Sequence, residues 1–269
     1  MKWIAFTGIF VVGSLTGAGF VAATQSPPAP KKEAPPFRSL DANLFMQTSA
    51  EYRACCYQAF SLAESRLRGI AATPSRGPCR AVVLDLDETV LDNGAFQSTM
   101  IRNGWSFDSA MWNRYEQKQG DRVELIPGAK AFLDTSRSLG FAICYISNRS
   151  ESSRAALHAT LVRLGIDVPD AQLLLATTTS DKTERRAKIA ASFCPVLLIG
   201  DNLRDFDDCF KYDSMAGIDG RKREVDATKS EFGYHWIILP NPSYGEWTKP
   251  FGKGKADADV LVPSLEIKP

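Results

Sequence analysis

The stretch Ala81-Val-Val-Leu-Asp-Leu-Asp-Glu-Thr-Val-Leu-Asp-Asn93 decides how the rest of the chain is read. Its first residues are apolar and rich in β-branched side chains, the composition of a parallel strand covered on both faces. Asp85 and Asp87 then fall at the carboxyl end of that strand, where open α/β sheets gather their chemistry. The placement is unfavourable by itself. Two carboxylates about 4 Å apart repel by roughly 4 kcal/mol at an effective dielectric of about 20. An acidic loop after a strand explains Asp-x-Asp as well, unless other residues give a reason to hold the two together.

Apolar runs and helical patterns alternate through the remainder of the chain. Strands are expected over 81–86, 141–146, 172–175, 196–199 and 235–239, and helices over 128–139, 151–164, 182–192 and 203–210. Alternation of this kind builds βαβ units and therefore an α/β fold, a parallel sheet with helices on both faces. Leu44, Tyr52, Cys55, Cys56, Ala59 and Leu62 recur at three- and four-residue spacing, which predicts a further N-terminal helix over about 40–67. The segment 93–125 is too long for a simple crossover. It carries Trp105, Phe107, Met111, Trp112 and Tyr115, and is read as a small helical cap inserted in a domain covering 40–269.

The ends of the chain and its composition bound the setting. Met1-Lys2 precedes an uncharged, mostly apolar stretch from Trp3 to Ala23 that closes on the small residues Val21-Ala22-Ala23. Residues 1–23 therefore read as a secretory signal, or as an N-terminal membrane anchor if retained, since the stretch is long enough to span a bilayer. A proline-rich linker follows over 24–39. The folded part is expected to be exported: periplasmic, outer-membrane-associated or secreted. The formal net charge of +1 leaves no whole-chain footprint for nucleic acid. Among the six cysteines, Cys144 and Cys194 lie in or beside apolar runs, and Cys79 and Cys209 are the better candidates for a bridge.

Each expected strand end contributes polar groups to a common rim. The first supplies Asp85 and Asp87, the second Ser147-Asn-Arg149, and the fourth Gly200-Asp-Asn-Leu-Arg-Asp205. Lys182 stands ahead of the helix that follows the third strand. Carboxylates, a hydroxyl and a lysine converging in one crevice suit a divalent cation and a phosphate. Mg2+ accounts for the acids, with ligands from the Asp85 carboxylate, the Asp87 backbone carbonyl and the Asp201 carboxylate, and with Asp205 acting through water. Lys182 and Ser147 would hold phosphoryl oxygens. Asp85 is then placed to attack phosphorus, and Asp87 to protonate the leaving oxygen and later activate water.

The order Asp-x-Asp, Ser, Lys, Gly-Asp-x-x-x-Asp resembles the four motifs of the haloacid dehalogenase (HAD) superfamily. The chain is most similar to the class C acid phosphatases, which include bacterial outer-membrane 5′-nucleotidase lipoproteins. The resemblance rests on Gln47-Thr-Ser-Ala-Glu-Tyr52, Tyr57-Gln-Ala59, Leu84-Asp-Leu-Asp-Glu-Thr89, Ile126-Pro-Gly128, Ser147-Asn-Arg149, Gly200-Asp-Asn-Leu-Arg-Asp-Phe206 and Leu239-Pro-Asn-Pro-Ser-Tyr-Gly245. It implies a HAD-like Rossmannoid sheet and a Mg2+-dependent phosphomonoesterase working through an aspartyl-phosphate. Ser147, Asn148 and Lys182 would bind phosphate, and Trp112 and Tyr244 would stack on the base of a nucleoside monophosphate. Membrane association through the apolar N-terminus and a homodimer stay open alternatives. Two departures stand out: no lipid-attachment cysteine follows the apolar N-terminus, and the segment before Lys182 is rich in threonine.

Other phosphatase chemistries are excluded by what is missing. His158 and His235 are too few for a multi-histidine metal centre, no Arg-His-Gly occurs, and no cysteine is followed six positions later by arginine. There is no Walker A loop. The competing reading is a non-catalytic exported binding or storage protein on the same fold.

Overall fold

The computed structural model describes residues 39–250 apart from 75, 76, 78 and 214. The expected signal segment and all of the linker but its last residue lie outside the described residues. Helices α1 (Leu40–Thr48) and α2 (Ala50–Ala71) precede the first strand, β1 (Arg80–Leu84). They replace the single helix expected over 40–67. The break falls at Ser49, whose extended backbone ends α1 while its hydroxyl accepts the Tyr52 N–H at 3.0 Å and caps α2.

After β1 come β2 (Leu91–Asp92), α3 (Gly94–Asn103), α4 (Ser109–Lys118) and β3 (Glu124–Leu125), then α5 (Ala129–Ser138) and β4 (Ala142–Ser150). The order continues with α6 (Arg154–Arg163), β5 (Leu173–Ala176), α7 (Thr183–Ser192), β6 (Cys194–Gly200), α8 (Gly217–Ala227) and β7 (Trp236–Ile238). Strands β2 and β3 pair antiparallel, so α3 and α4 form a helical excursion between two short strands. Asp108 caps α4 by accepting the Met111 N–H, and Gly104, at a φ of 70° that an L side chain rarely adopts, ends α3.

The main sheet runs β5-β4-β1-β6-β7, and every neighbouring pair is parallel. The chain builds outward from β1 through β4 and β5, then crosses to β6 and β7, so the strand order reverses at β1. In open α/β sheets that reversal opens a crevice at the strands' carboxyl ends. Alternation along β1 covers both sides: Val82 and Leu84 join the larger core with α2, α5 and α6, while Ala81 and Val83 pack with Cys144, Ile146 and Ile189 of α7.

Several boundaries differ from expectation for identifiable reasons. The helix expected over 203–210 is two 3₁₀ turns, Leu203–Asp205 and Asp208–Phe210. Asn202 and Asp205 form a reciprocal capping box, and Asp207 accepts the Cys209 N–H, so side chains take the amides a continuous helix would need. β4 runs on to Ser150, which places Ser147–Arg149 inside the strand, and α6 starts after a 3₁₀ turn at Glu151–Ser153. Helix α8, with no buried residue, left no apolar stripe to read. Cys79 and Cys209, the better candidates for a bridge, are exposed free thiols. Among the described residues, no helix is long and apolar enough to cross a membrane.

Candidate active site

The ends of β1, β4 and β6 and the loop before α7 surround a cavity of about 570 Å³. Asp85, Asp87, Asn148, Lys182, Asp201 and Asp205 line it, with Trp112 from α4 and Tyr244 from the segment after β7. Of the residues singled out by sequence, Ser147 alone does not reach the wall. It is fully buried, its hydroxyl accepting the Arg149 N–H at 3.1 Å and donating to Asp87 Oδ2 at 3.4 Å. A larger hollow of about 770 Å³ lies between α2, α8 and β7 and is mostly apolar. It shares Asp201 with the first but lacks Asp85, Asp87 and Lys182, so the chemistry belongs to the smaller cavity.

Asp85 is held by the sheet itself, its N–H donating to Ile199 O at 2.9 Å. Lys182, only 5% exposed, donates from Nζ to Asp85 Oδ1 and to Asp205 Oδ1, the latter at 2.7 Å. Asp205 also accepts the Asn202 N–H through Oδ2 at 2.9 Å. Asp201 accepts from Thr89 Oγ1 at 3.2 Å and from Asn241 Nδ2 at 2.8 Å. Gly200 permits this crowding: a Cβ there would lie 2.3 Å from Asp205 Oδ2 and 2.5 Å from its Cβ.

One carboxylate oxygen from each of Asp85, Asp201 and Asp205 lies within 4.8 Å of the other two. Their charges are costly as they stand. Burial pushes the Asp85 carboxyl well above its ordinary range; Lys182 opposes the rise, and Asp205, Asp201 and Asp87 add to it. Burial and then Asp205 push Asp201 up to about 7. Lys182 keeps its proton, because Asp205 and Asp85 outweigh the burial that would lower it. The donor set is all hard oxygen, tightly grouped and short of positive charge, which fits a divalent cation such as Mg2+.

Asp87 lives in different surroundings. Its Oδ1 accepts three N–H groups: Arg149 Nε at 2.9 Å, an Arg149 terminal nitrogen at 2.7 Å, and Asn93 Nδ2 at 2.9 Å. Arg149 also donates to Asn93 Oδ1 at 2.9 Å, and that oxygen takes the Tyr115 hydroxyl at 3.1 Å. Glu88, at a φ of 56°, turns the chain sharply after Asp87 and accepts the Asn93 N–H through Oε1. Non-glycine residues in that region cost about 1–3 kcal/mol and collect at functional sites.

Arg149, Asn93, Thr89, Asn241 and Arg185 were given no role from the sequence. Arg185 is buried and ties Ser147 O, Asn148 Oδ1 and Asp181 O together, joining the β4 end to the loop that presents Lys182. A signal existed for two of them. Arg149 is the cation inside Ser147-Asn-Arg149, and Arg185 follows Lys182 by one helical turn.

The sequence profile of the HAD superfamily subfamily IIIB acid phosphatases matches residues 35–247. The chain belongs to this family. The class C acid phosphatase from Bacillus anthracis is 31% identical, with a TM-score of 0.76 over 86% of this chain and 99% of that one. A structure of the Bacillus anthracis class C acid phosphatase with tungstate bound aligns equally well, over 85% and 98% of the two chains. The protein is therefore an acid phosphatase of the class C type, a phosphomonoesterase on a HAD-like α/β fold. The reading as a non-catalytic binding protein is not favoured.

Proposed function

We propose that this acid phosphatase is an exported, Mg2+-dependent phosphomonoesterase that acts through an aspartyl-phosphate on Asp85. The observation that carries the reading is the convergence of Asp85, Asp201 and Asp205 with Lys182 at the floor of one cavity. The Asp85 and Asp201 carboxylates and the Asp87 backbone carbonyl would hold the cation, with Asp205 through water, and the cation when bound would offset negative charge on the transferring phosphoryl group. Asn148 at the cavity wall and Lys182 at its floor suit an incoming phosphate. The tungstate held by the Bacillus anthracis enzyme, a tetrahedral oxyanion like phosphate, is in keeping with that assignment.

In the first step Asp85 attacks phosphorus in line with the ester bond. The Asp85 O–P bond forms, the P–O ester bond breaks, and Asp87 gives its proton to the departing oxygen. In the second step Asp87 takes a proton from water, the water oxygen bonds to phosphorus, and Asp85 is released as a carboxylate. Trp112 and Tyr244, both on the cavity wall, suit a nucleoside monophosphate whose base stacks on one or both rings. The apolar segment 1–23 supports export, by cleavage or by anchoring.

Hydrolysis of p-nitrophenyl phosphate with and without EDTA tests the core of the proposal. Turnover that survives complete chelation from acidic to neutral pH rules out the metal assignment. Trp112→Ala is expected to raise KM for a nucleoside monophosphate about tenfold more than for p-nitrophenyl phosphate, the size of one stacking contact. Equal effects on both substrates would remove the base-stacking role.

A further inference from the structure

We infer that Arg149 is the positioning residue of the proton-transfer half of the site, anchoring Asp87 through its Oδ1. The inference rests on the acid–base role proposed for Asp87. Oδ1 of Asp87 is occupied by three N–H donors, two from Arg149 and one from Asn93. A proton placed on Oδ1 would face three others, so the neutral acid carries its proton on Oδ2. Oδ2 takes only the long 3.4 Å contact from the Ser147 hydroxyl among the described residues, and Asp87 lines the same cavity as Asp85. The proton leaves Oδ2 for the ester oxygen as that P–O bond breaks, and Oδ1 stays an anchored acceptor throughout.

The guanidinium is built for this task. Arg149 is 1% exposed and its fork is divided between Asp87 and Asn93, a geometry that a lysine ammonium cannot copy. Asn93 is itself fixed by Glu88 and by Tyr115 of α4. Trp112, one helical turn before Tyr115, lies 5.4 Å from the guanidinium across its ring face. One arginine thus touches both the proton donor and the helix that walls the leaving-group side of the cavity. A group that only stabilised the fold would affect every substrate alike. A group that aims the acid matters in proportion to how badly the leaving oxygen needs a proton.

The test compares kcat/KM, which reports steps up to the first phosphoryl transfer, on p-nitrophenyl phosphate and glycerol 2-phosphate. Nitrophenolate departs without help, glycerol does not, and neither substrate carries a base for Trp112 to grip. Arg149→Met in the full-length, Mg2+-supplemented enzyme is expected to lose about a hundredfold more on glycerol 2-phosphate than on p-nitrophenyl phosphate, at the lower end of general-acid contributions. Arg149→Lys should restore only part of the gap. Asn93→Ala, which keeps the arginine, gives the same split at smaller size and serves if Arg149→Met fails to fold. Equal losses on the two substrates in these variants overturn the inference. Asp87→Asn in the same assay separates the two layers. If it shows the split and the Arg149 and Asn93 variants do not, only the positioning role falls; if it shows none, the acid–base role itself falls.

Discussion

The two aspartates of Asp85-Leu-Asp87 sit one residue apart on one strand end, yet they belong to opposite kinds of environment. Around Asp85 the acids Asp201 and Asp205 crowd a single ammonium, Lys182, and burial pushes the Asp85 and Asp201 carboxyls upward. Around Asp87, Arg149 and Asn93 saturate one oxygen with N–H donors. The first region is short of positive charge and suits a cation. In the second, a buried guanidinium already answers the carboxylate's charge. A repulsion that looked wasteful in the sequence is thereby divided: the sheet delivers both carboxylates to one cavity, and the side chains around them give each a separate counter-charge.

The sharpest way to break this division is at its charged end. Asp85→Asn removes the nucleophile, and kcat/KM should fall by about 10⁴-fold or more on aryl and alkyl phosphates alike. The protein should stay folded, since a neutral amide relieves crowding with Asp201 and Asp205. Residual turnover above about 1% of wild type, with no contaminating phosphatase, would contradict covalent catalysis at this position.

Removing the metal probes the same region by another route. Chelation should abolish turnover and added Mg2+ should restore it, while the metal-free protein should carry a distinctive pH dependence. Burial and the neighbouring Asp205 push the Asp201 carboxyl up to about 7 in the folded protein, above the ordinary aspartate value that the unfolded chain keeps. Between those values the folded state binds more protons than the unfolded one, so stability falls as pH rises. Without metal, Tm should therefore increase as the pH is lowered from about 8 to 6, and with saturating Mg2+ the increase should shrink or vanish. A Tm that follows the same curve in both states would mean that the cation does not relieve these carboxylates.

Much of this was legible beforehand because it follows from periodicity and from the topology of parallel sheets. Once 81–84 is a strand and the pattern alternates, the strand ends must share a rim, and Asp85, Lys182, Asp201 and Asp205 do meet there. What stayed hidden has a common cause. Arg149 and Asn241 act through hydrogen bonds to aspartates 62 and 40 positions away, and no local pattern announces such a bond. Ser147 shows the converse: β4 continues past it, so the pleat turns its hydroxyl inward to Asp87 and leaves Asn148 at the wall. The 3₁₀ turns over 203–210 were hidden by the side chains of Asn202 and Asp207, which compete with the helix for its own amides.

Asn241 offers a finer cut, confined to the cation side. Its Nδ2 holds Asp201 Oδ2 at 2.8 Å, and its own Oδ1 is fixed by Ser243. Asn241→Ala should weaken Mg2+ binding about 10- to 100-fold, the usual cost of losing a partner that orients a ligand. Isothermal titration with Mg2+ measures this directly. The ratio of glycerol 2-phosphate to p-nitrophenyl phosphate turnover at saturating metal should not change, because Asn241 makes no bond to Asp87.

The smallest expected effect lies on the proton side and tests how far the two regions are independent. Tyr115→Phe keeps the ring, which packs at 5.0 Å from Phe96 and 5.3 Å from Trp112, and deletes only the hydroxyl that donates to Asn93 Oδ1. Asn93 retains the Arg149 bond on that oxygen, so it is loosened rather than released. One hydrogen bond of this kind is worth about 1 kcal/mol, which corresponds to a fivefold change at most if all of it bears on the transition state. A loss of a few-fold is expected on glycerol 2-phosphate, with none on p-nitrophenyl phosphate and no change in Mg2+ affinity. A shift in Mg2+ affinity would show that the Asn93–Asp87 arm and the Asp85–Asp201–Asp205 cluster move as one body, and the division between them would then describe charge alone and not mechanics.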